Sequence, residues 1–390
     1  MYLIDGFVLS GIRGDNPSNM FSGFSLILTG ECNFSCSYCY QEKDGLFLDP
    51  ATVEKAIGFF FPRFAEESSI LFYGGEPLLA RDTIRSAVHA VQAENRLQRK
   101  HIRYSISTNG SLLDDDTLRL FDRNRFTVLL SFDGRAQDKG RQEGSFPVVS
   151  RALEKLLDRP RIELLTNSVF TPETVADLST SIKDIVERGV RDAQISFTNL
   201  RPWGRDALAR LGAELSDLRR FLLAFYLKTG RVPVANFRAS TEPAVFGCRA
   251  GEDRMALSPD GRLWGCHLFY DFHKKMKSPT TARYCFGDLD SFITHNGRTY
   301  PRIVARYADL RMDYFHTPGK FCGLCRDVHD CAICPVDAAF ASGIIGRIMP
   351  VDCRIRKIIR KEKRRLWKDL EKHGICPGWA RARASTRRSG

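Results

Sequence analysis

The feature that most constrains this sequence is a repeated alternation of short apolar segments with helix-like segments between residues 24 and 197. The apolar segments are mostly rich in β-branched or aromatic residues, which predicts strands. Helix start signals such as Asp49-Pro50, Asp114 and Thr171-Pro172 stand in the gaps. Strands that alternate with helices form parallel sheets, so the pattern predicts an α/β fold with a partial (β/α)6 barrel. The predicted strands are Phe24–Thr29, Ile70–Tyr73, Ile102–Thr108, Phe126–Phe132, Ile162–Val169 and Ala193–Phe197.

Polar or glycine-containing turns follow most of these strands. Active sites of parallel α/β folds form at the C-terminal ends of the strands, where loops and helix N-termini converge. We therefore expect these turns to meet at one rim. They are Thr29-Gly30-Glu31-Cys32, Gly74-Gly75-Glu76-Pro77, Ser107-Thr108-Asn109-Gly110, Ser131-Phe132-Asp133-Gly134 and Thr198-Asn199.

Three cysteines, Cys32, Cys36 and Cys39, lie within eight residues after the first predicted strand. The N-terminus shows no signal peptide, and no apolar segment approaches the roughly 18–20 residues of a membrane span, so we expect a cytoplasmic protein with no membrane partner. In that reducing compartment the twelve cysteines are expected to bind metal rather than to form disulfides. Structural zinc requires four ligands, whereas a [4Fe-4S] cluster held by three thiolates leaves one iron open to a small molecule.

The C-x3-C-x2-C spacing after the first strand, with an aromatic residue before the last cysteine, resembles the signature of the radical SAM superfamily. The resemblance implies a [4Fe-4S] cluster on these three cysteines, with S-adenosylmethionine bound to the open iron. Gly74-Gly75-Glu76-Pro77 resembles the family's GGEP motif, which contacts the methionine amino group, and a carboxylate on a glycine turn suits a cationic ligand. The other cofactor contacts expected on this basis are Tyr38 as a shield of the cluster, Ser107 and Asn109 at the ribose, and Ser131 and Arg141 at the methionine carboxylate.

A second group of cysteines has the spacing Cys248-x12-Gly261-x4-Cys266, then Cys322-x2-Cys325-x5-Cys331-x2-Cys334, then Cys353. The pattern resembles the SPASM extension of radical SAM enzymes, except that two residues rather than three separate Cys331 from Cys334. The resemblance implies two auxiliary [4Fe-4S] clusters, one on Cys322, Cys325, Cys331 and Cys353, the other on Cys248, Cys266 and Cys334. Either Cys285 completes the second cluster or one of its irons stays open to substrate. Two structural zinc ions are the alternative, and Cys376 is left over as an inert thiol.

At 390 residues the chain favours at least two domains. We expect an N-terminal segment at 1–20, the radical SAM partial barrel at 21–200, a helical connector at 201–240 with a helix over Leu215–Leu227, a small cysteine-rich SPASM domain at 241–355 and a basic C-terminal tail at 356–390.

The net charge of +13 is concentrated at the C-terminus. Residues 354–390 contain 14 Lys or Arg and 3 Asp or Glu, a net +11, which leaves only +2 for the rest of the chain. Apolar tail residues such as Ile355, Ile359 and Leu366 approximate one face of a helix. The tail either docks on an acidic precursor peptide or on the protein's own body, or it forms a solvated helix.

The resemblance implies a radical SAM/SPASM maturase. Such an enzyme reductively cleaves S-adenosylmethionine and abstracts hydrogen from a ribosomally made peptide or protein, to install a crosslink, a thioether or an oxidised residue. A low-potential flavodoxin- or ferredoxin-like donor would supply the electron. The catalytic residues are not identified by the sequence.

Three alternatives stay open. The first is an anaerobic sulfatase-maturing enzyme, which generates formylglycine. That subclass has an aspartate directly after the cysteine matching Cys266, where this chain has His267, so another acid or base would be needed, and Asp271 and His273 lie nearby. The second is a radical dehydrogenase of a small molecule. The third is a metal-cluster protein that binds nucleic acid through its basic tail, although no nucleic-acid-binding module is recognisable.

Overall fold

The computed structural model describes residues 21–239, 249–277, 279–295, 300–308, 316–317, 320–327, 331 and 333–375. Cys248 and Cys376 lie outside these residues, as do the expected N-terminal segment and the last part of the basic tail. Among the described segments, no helix is long and apolar enough to cross a bilayer.

Six strands pair in parallel and in chain order, each with the next, which confirms the predicted partial barrel sheet. Helices occupy the intervals between them, so the C-terminal ends of all six strands lie at one rim. The strands are β1 (Phe21–Ile27), β2 (Phe64–Tyr73), β3 (His101–Thr108), β4 (Thr127–Ser131), β5 (Glu163–Phe170) and β6 (Ala193–Phe197).

Two of the helices between these strands begin directly after a capping aspartate. Asp49 accepts a hydrogen bond from the Thr52 amide, and Asp114 accepts one from the Thr117 amide. The first helix buries Val53, Ala56, Ile57 and Phe60, the i, i+3, i+4, i+7 spacing of one helix face. The helices are α1 (Pro50–Phe60), α2 (Arg81–Gln98), α3 (Asp115–Arg123), α4 (Gln137–Gly140), α5 (Ser145–Leu157) and α6 (Leu178–Glu187).

The C-terminal region extends the same sheet. Its first strand, β7, pairs in parallel with β1, and β8 and β9 follow in antiparallel order. Local sequence patterns did not predict this junction, because the pairing joins segments more than 200 residues apart. The remaining elements are α7 (Arg205–Thr229), β7 (Arg254–Leu257), β8 (Arg262–Trp264), α8 (His267–Met276), α9 (Pro279–Ala282), β9 (Cys285–Asp288), α10 (Leu289–Thr294), α11 (Tyr300–Ala308), β10 (His316–Thr317), β11 (Lys320–Phe321), α12 (Pro335–Ser342) and α13 (Pro350–Glu371).

Helix α13 contains residues 356–371 of the basic tail and packs against α7, which confirms the predicted amphipathic helix. Its buried face includes Ile355, Ile359, Leu366 and Leu370. Arg219 of α7 forms ion pairs with Glu362, at 3.2 Å, and with Asp369. The helix begins at Pro350, so it crosses the expected domain boundary at residue 355. Up to residue 375, the tail therefore docks on the protein's own body.

Candidate active site at the rim of the barrel

The first cysteine loop leaves the end of β1 and folds back over the rim. The Cys39 amide donates to the Cys36 carbonyl at 3.1 Å, and the Phe34 amide donates to Cys32 Sγ at 3.4 Å. Burial raises the pKa of each of the three thiols, and each thiol adds to the rise at another: Cys36 acts on Cys32, Cys39 on Cys36, and Cys32 on Cys39. The three sulfurs are thus close enough to interact, and a bound cation would favour their thiolate forms.

No three Cys, His, Asp or Glu side chains within the described segments are close enough together to bind a single metal ion. In a [4Fe-4S] cluster each thiolate binds a different iron, so its ligands lie farther apart than those of one zinc ion. The donor set of Cys32, Cys36 and Cys39 therefore fits such a cluster in type and in grouping.

Cysteines of the C-terminal region also come together. Burial raises the pKa of Cys331 to about 11, and the nearby Cys322 and Cys353 thiols contribute to this rise, while Arg360 opposes it. The Cys325 amide donates to the Cys322 carbonyl at 2.9 Å, which places Cys325 in the same turn. These are the four residues expected to share one auxiliary cluster.

The second auxiliary set stays a prediction. Cys266 precedes α8 as its N-cap residue, and Cys334 precedes α12 in the same way. Burial raises the pKa of Cys285, and the charged groups that act on it are Arg262, Asp260 and Asp288. The Cys285 thiol also accepts a hydrogen bond from the Gly287 amide at 3.3 Å.

The glycine turn after β2 lies directly against the start of the cysteine loop. The Gly75 amide donates to the Thr29 carbonyl at 2.9 Å, and the Glu76 amide donates to the Glu31 carbonyl at 2.8 Å. A Cβ atom at Gly74 would lie 2.4 Å from the Thr29 carbonyl oxygen, and one at Gly75 would lie 2.2 Å from that of Glu31. Only glycine allows the two backbones to approach this closely.

Glu76 is fully buried at the centre of the rim. Its carboxylate accepts hydrogen bonds from Thr108 Oγ1 at 2.7 Å, the Asn109 amide at 2.7 Å and the Leu78 amide at 3.0 Å. Burial raises the pKa of Glu76 to about 7, although the three hydrogen bonds oppose this shift. Pro77 begins the short 3-10 helix that follows. A cationic ligand beside Glu76 would favour its ionised form, as expected for a contact with an amino group.

The other expected cofactor contacts lie along the same rim. Asn109 donates to Asn33 Oδ1 at 2.9 Å and lies 3.8 Å from Cys32 Sγ, so this side chain reaches the cysteine loop. Ser107 and Ser131 lie at the ends of β3 and β4 and are partly exposed. The structure thus brings Asn109 to the first cysteine loop, whereas both serines stay partly exposed at the ends of their strands.

Arg141 is held in a buried ion pair with Asp133, 2.9 Å from Nη2 to Oδ1. Tyr38 donates to the other oxygen of Asp133 at 2.7 Å, and the Arg141 guanidinium lies over the Tyr38 ring at 5.6 Å. Burial lowers the pKa of Arg141, but Asp133, Tyr38 and Cys36 together outweigh burial and raise it above its usual value. Within the described chain, Arg141 Nε has no hydrogen-bond partner, which leaves one donor for an anionic group such as a carboxylate.

Asp133 was not singled out as a site residue by the sequence. It lies in the Ser131-Phe132-Asp133-Gly134 turn, which did mark the loop, but its partners Tyr38 and Arg141 come from two other segments. The Tyr38–Asp133–Arg141 group fixes the cysteine loop to the fourth strand's turn.

A further polar cluster lies where α8 meets the cysteine loop. The Tyr40 and Tyr73 hydroxyls are 2.6 Å apart, and Tyr73 donates to Asp271 Oδ2 at 3.3 Å. The His267 ring packs on Tyr73 with centroids 4.1 Å apart. Burial raises the pKa of Asp271 to about 7.

His273 packs against Trp264, and its Nδ1 is 2.5 Å from Thr281 Oγ1. Of the two nearby acid or base candidates, Asp271 is therefore the one that faces the cysteine loop.

The parallel barrel sheet brings three thiols, a glycine-bordered carboxylate and a buried guanidinium to one rim. Residues 26–185, less than half of the 390 residues, match the family model described as the Radical SAM superfamily.

Relatives of known function are similar to this chain over part of its length. It is 29% identical to a serine-type anaerobic sulfatase-maturating enzyme of Klebsiella aerogenes over 274 residues, 62% of this chain and 66% of the relative. That match spans just under two thirds of the relative. The chain is 27% identical to the radical SAM cyclopropyl synthase TigE of Paramaledivibacter caminithermalis over 183 residues, 42% of this chain and 38% of the relative.

A solved structure shares the fold over nearly the whole chain. The structure titled "Native anSMEcpe with bound AdoMet" has a TM-score of 0.70 and 18% identity, and the match covers 90% of this chain and 99% of that one. The likeness therefore includes the cysteine-rich C-terminal region as well as the barrel.

Proposed function

We propose that this chain is a peptide or protein maturase that oxidises or crosslinks a residue of its substrate by radical chemistry. The observation that carries the proposal is that the second cysteine-bearing region is packed on the same rim as the first cysteine loop. Tyr40 packs against Phe340 of α12 with ring centroids 4.5 Å apart, and Asn199 after β6 donates to the Asp337 carbonyl at 2.8 Å. An electron acceptor bound by the C-terminal cysteines would therefore lie near the place where substrate reacts.

The residues present fit the cofactors that the superfamily uses. Cys32, Cys36 and Cys39 would hold the [4Fe-4S] cluster, Glu76 would accept from the amino group of S-adenosylmethionine, and Arg141 would donate to its carboxylate. When bound, this pair supplies a carbon-centred radical that removes a hydrogen atom from substrate. The buried Glu76 helps to position the reactants. The aromatic side chains of Tyr38 and Tyr40 around the cysteine loop exclude water.

The remaining cofactor contacts in this proposal are Ser107 and Ser131, which are partly exposed at the strand ends, and Asn109, which is buried beside the cysteine loop. The C-terminal cysteines would hold two auxiliary [4Fe-4S] clusters, one on Cys322, Cys325, Cys331 and Cys353. A low-potential flavodoxin- or ferredoxin-like protein would donate the electron that begins each turnover.

A sulfatase-maturing activity is the second candidate. It is supported by the similarity to the Klebsiella aerogenes relative and by Asp271, which supplies a buried carboxylate at the rim one helical turn after His267. The nucleic-acid alternative stays open, because α13 packs against α7 through its apolar face and leaves Lys361, Arg364 and Lys368 exposed. Small-molecule dehydrogenation stays open and differs from both by its substrate.

The test is an anaerobic reconstitution with iron and sulfide, followed by incubation with S-adenosylmethionine and a strong reductant. We expect iron in the protein and 5′-deoxyadenosine among the products. Changing Cys32, Cys36 and Cys39 to alanine should abolish 5′-deoxyadenosine formation and remove the iron of that one cluster, while the auxiliary clusters keep theirs. Zinc in place of iron, or uncleaved S-adenosylmethionine, would contradict the proposal.

Reactions with different peptides distinguish the sulfatase-maturing activity from a crosslinking or oxidising maturase. Reactions should include synthetic peptides with a single central serine or cysteine and short precursors encoded beside the gene, each followed by mass spectrometry. Loss of two hydrogens from the serine peptide supports the sulfatase-maturing activity. The same loss confined to a neighbouring precursor supports a crosslinking or oxidising maturase, and conversion of small alcohols alone would overturn the peptide substrate.

A further inference from the structure

We propose that Tyr40, Tyr73 and Asp271 form a proton relay, with Asp271 as the terminal acceptor of the proton that the substrate loses when it is oxidised. The relay rests on the proposed function. It supplies a carboxylate in a chain that has His267, rather than an aspartate, directly after Cys266. In this relay Tyr40 is the member nearest the substrate, and Asp271 acts through the two phenols.

The three groups connect the open rim to the interior. Tyr40 follows Cys39 directly and is partly exposed, whereas Tyr73 at the end of β2 and Asp271 on α8 are 6% exposed each. The hydroxyls of Tyr40 and Tyr73 are 2.6 Å apart, and the Tyr73 hydroxyl is 3.3 Å from Asp271 Oδ2. Each phenol can donate one proton and accept another, so a proton can move along the chain while both phenols stay neutral.

Asp271 has the surroundings of a proton acceptor rather than of a structural ion pair. Its two donors are distant, Tyr73 at 3.3 Å and Gln41 Nε2 at 3.5 Å. Lys274, on the same helix, is the cation that acts on it, but the Lys274 ammonium donates to the Glu42 carbonyl at 2.9 Å and pairs with Asp44 at 2.6 Å. The carboxylate is thus buried with weak compensation for its charge, which favours uptake of a proton.

Titratable groups face the relay from the cysteine loop, β2, α8 and α12. The Cys39 thiol and Tyr40 belong to the cysteine loop, Tyr73 to β2, and His267 and Lys274 to α8. Asp337 of α12 acts on Tyr40 from the other side.

The atoms and electrons of the step balance as follows for an alcohol side chain. One hydrogen leaves the carbon as an atom, in the chemistry that S-adenosylmethionine supplies when bound. The oxygen then loses its proton to the relay, the carbon–oxygen double bond forms, and one electron passes to an oxidised iron–sulfur cluster of the C-terminal region. Asp271 ends as a neutral carboxylic acid, and the product has two hydrogens fewer than the substrate.

The first measurement is the ratio of product to 5′-deoxyadenosine in the reconstituted holoenzyme, with the peptide that wild type converts as the probe. We expect Asp271→Asn and Tyr73→Phe to lower product formation by roughly 10²-fold, while 5′-deoxyadenosine formation stays within about threefold of wild type. Asp271→Glu restores a carboxylate and should recover part of the product. The matched control is Tyr270→Phe on the same helix, whose ring faces Trp264 and Lys274.

The second measurement does not depend on turnover. Infrared pH titration of the holoenzyme should show a protonated carboxyl band that Asp271→Asn removes. Tyr73→Phe should move the midpoint of that band to higher pH, because the Tyr73 hydrogen bond lowers the pKa of Asp271. An unchanged midpoint in Tyr73→Phe would contradict the hydrogen bond between Tyr73 and Asp271 on which the relay depends.

The outcomes separate the relay from the function on which it rests. If wild type forms product and both variants form it at the wild-type ratio to 5′-deoxyadenosine, the relay is wrong and the proposed function stands. If wild type forms no 5′-deoxyadenosine, the proposed function itself fails and the relay fails with it.

Discussion

Replacement of Gly75 by alanine should separate the glycine turn after β2 from the start of the cysteine loop after β1. The new Cβ would lie 2.2 Å from the Glu31 carbonyl oxygen and 2.6 Å from that of Gly30, and both are backbone atoms that cannot rotate away. Separation breaks the hydrogen bonds from Gly75 to Thr29 and from Glu76 to Glu31. With about 1 kcal/mol for each bond and about 1–3 kcal/mol for overpacking, we expect Gly75→Ala to lower the free energy of unfolding by roughly 3–5 kcal/mol.

The assay pairs anaerobic thermal unfolding with equilibrium dialysis of S-adenosylmethionine against the reconstituted protein. A displaced Glu76 should weaken binding by at least about tenfold, the equivalent of about 1.4 kcal/mol. Gly204→Ala is the matched control, because Gly204 has an ordinary φ of −68° and nothing within 4 Å of its Cβ position. Unchanged melting and unchanged S-adenosylmethionine affinity in Gly75→Ala would refute the reasoning that this close approach builds the site.

Three further predictions concern single residues. Asp133→Asn leaves the buried Arg141 guanidinium without its carboxylate and should cost about 3–5 kcal/mol of unfolding free energy, measured as a lower melting temperature. Wild-type affinity for S-adenosylmethionine should rise as pH increases through about 7, because the raised pKa of Glu76 keeps its carboxyl neutral below that value, and dialysis across pH should give a flat profile for Glu76→Gln. For the ligand-free protein the sign is opposite: stability falls as pH rises from 4.5 to about 7, because Glu76 ionises in the unfolded chain but keeps its proton in the folded protein. Arg219→Ala removes the ion pairs to Glu362 and Asp369 and should speed proteolysis within α13, whereas Arg220→Ala, whose pair with Asp217 is exposed, should not.

Local sequence patterns located the strands of the barrel because each strand is a short apolar segment between polar turns. Ala193–Phe197 has the predicted bounds. Strand β2 begins at Phe64, six residues before the predicted start at Ile70. The prediction missed these residues because Glu66, Glu67 and two serines interrupt the apolar pattern. Turn composition also marked the rim, since glycine and capping residues follow from local backbone geometry.

Contacts between distant segments could not be predicted in this way. Tyr73 and Asp271 are 198 residues apart, and Tyr38 and Asp133 are 95 apart, yet each pair shares a hydrogen bond. A carboxylate that is 6% exposed and one that is solvated look alike in the sequence. The resemblance to a family supplied the cysteine and glycine assignments, but the buried acids that complete the rim became visible only from the folded chain.

The pairing of β7 with β1 makes the cysteine-rich half a continuation of the barrel's own sheet. A fragment that stops before residue 249 would expose the backbone donors and acceptors of β1 along the register Gly23–Leu26. Such a fragment is a template for aggregation rather than a minimal catalyst. A chimera that takes its C-terminal region from another maturase should therefore be joined after β7, so that β1 keeps its own partner strand and the donor supplies the segments from β8 onward.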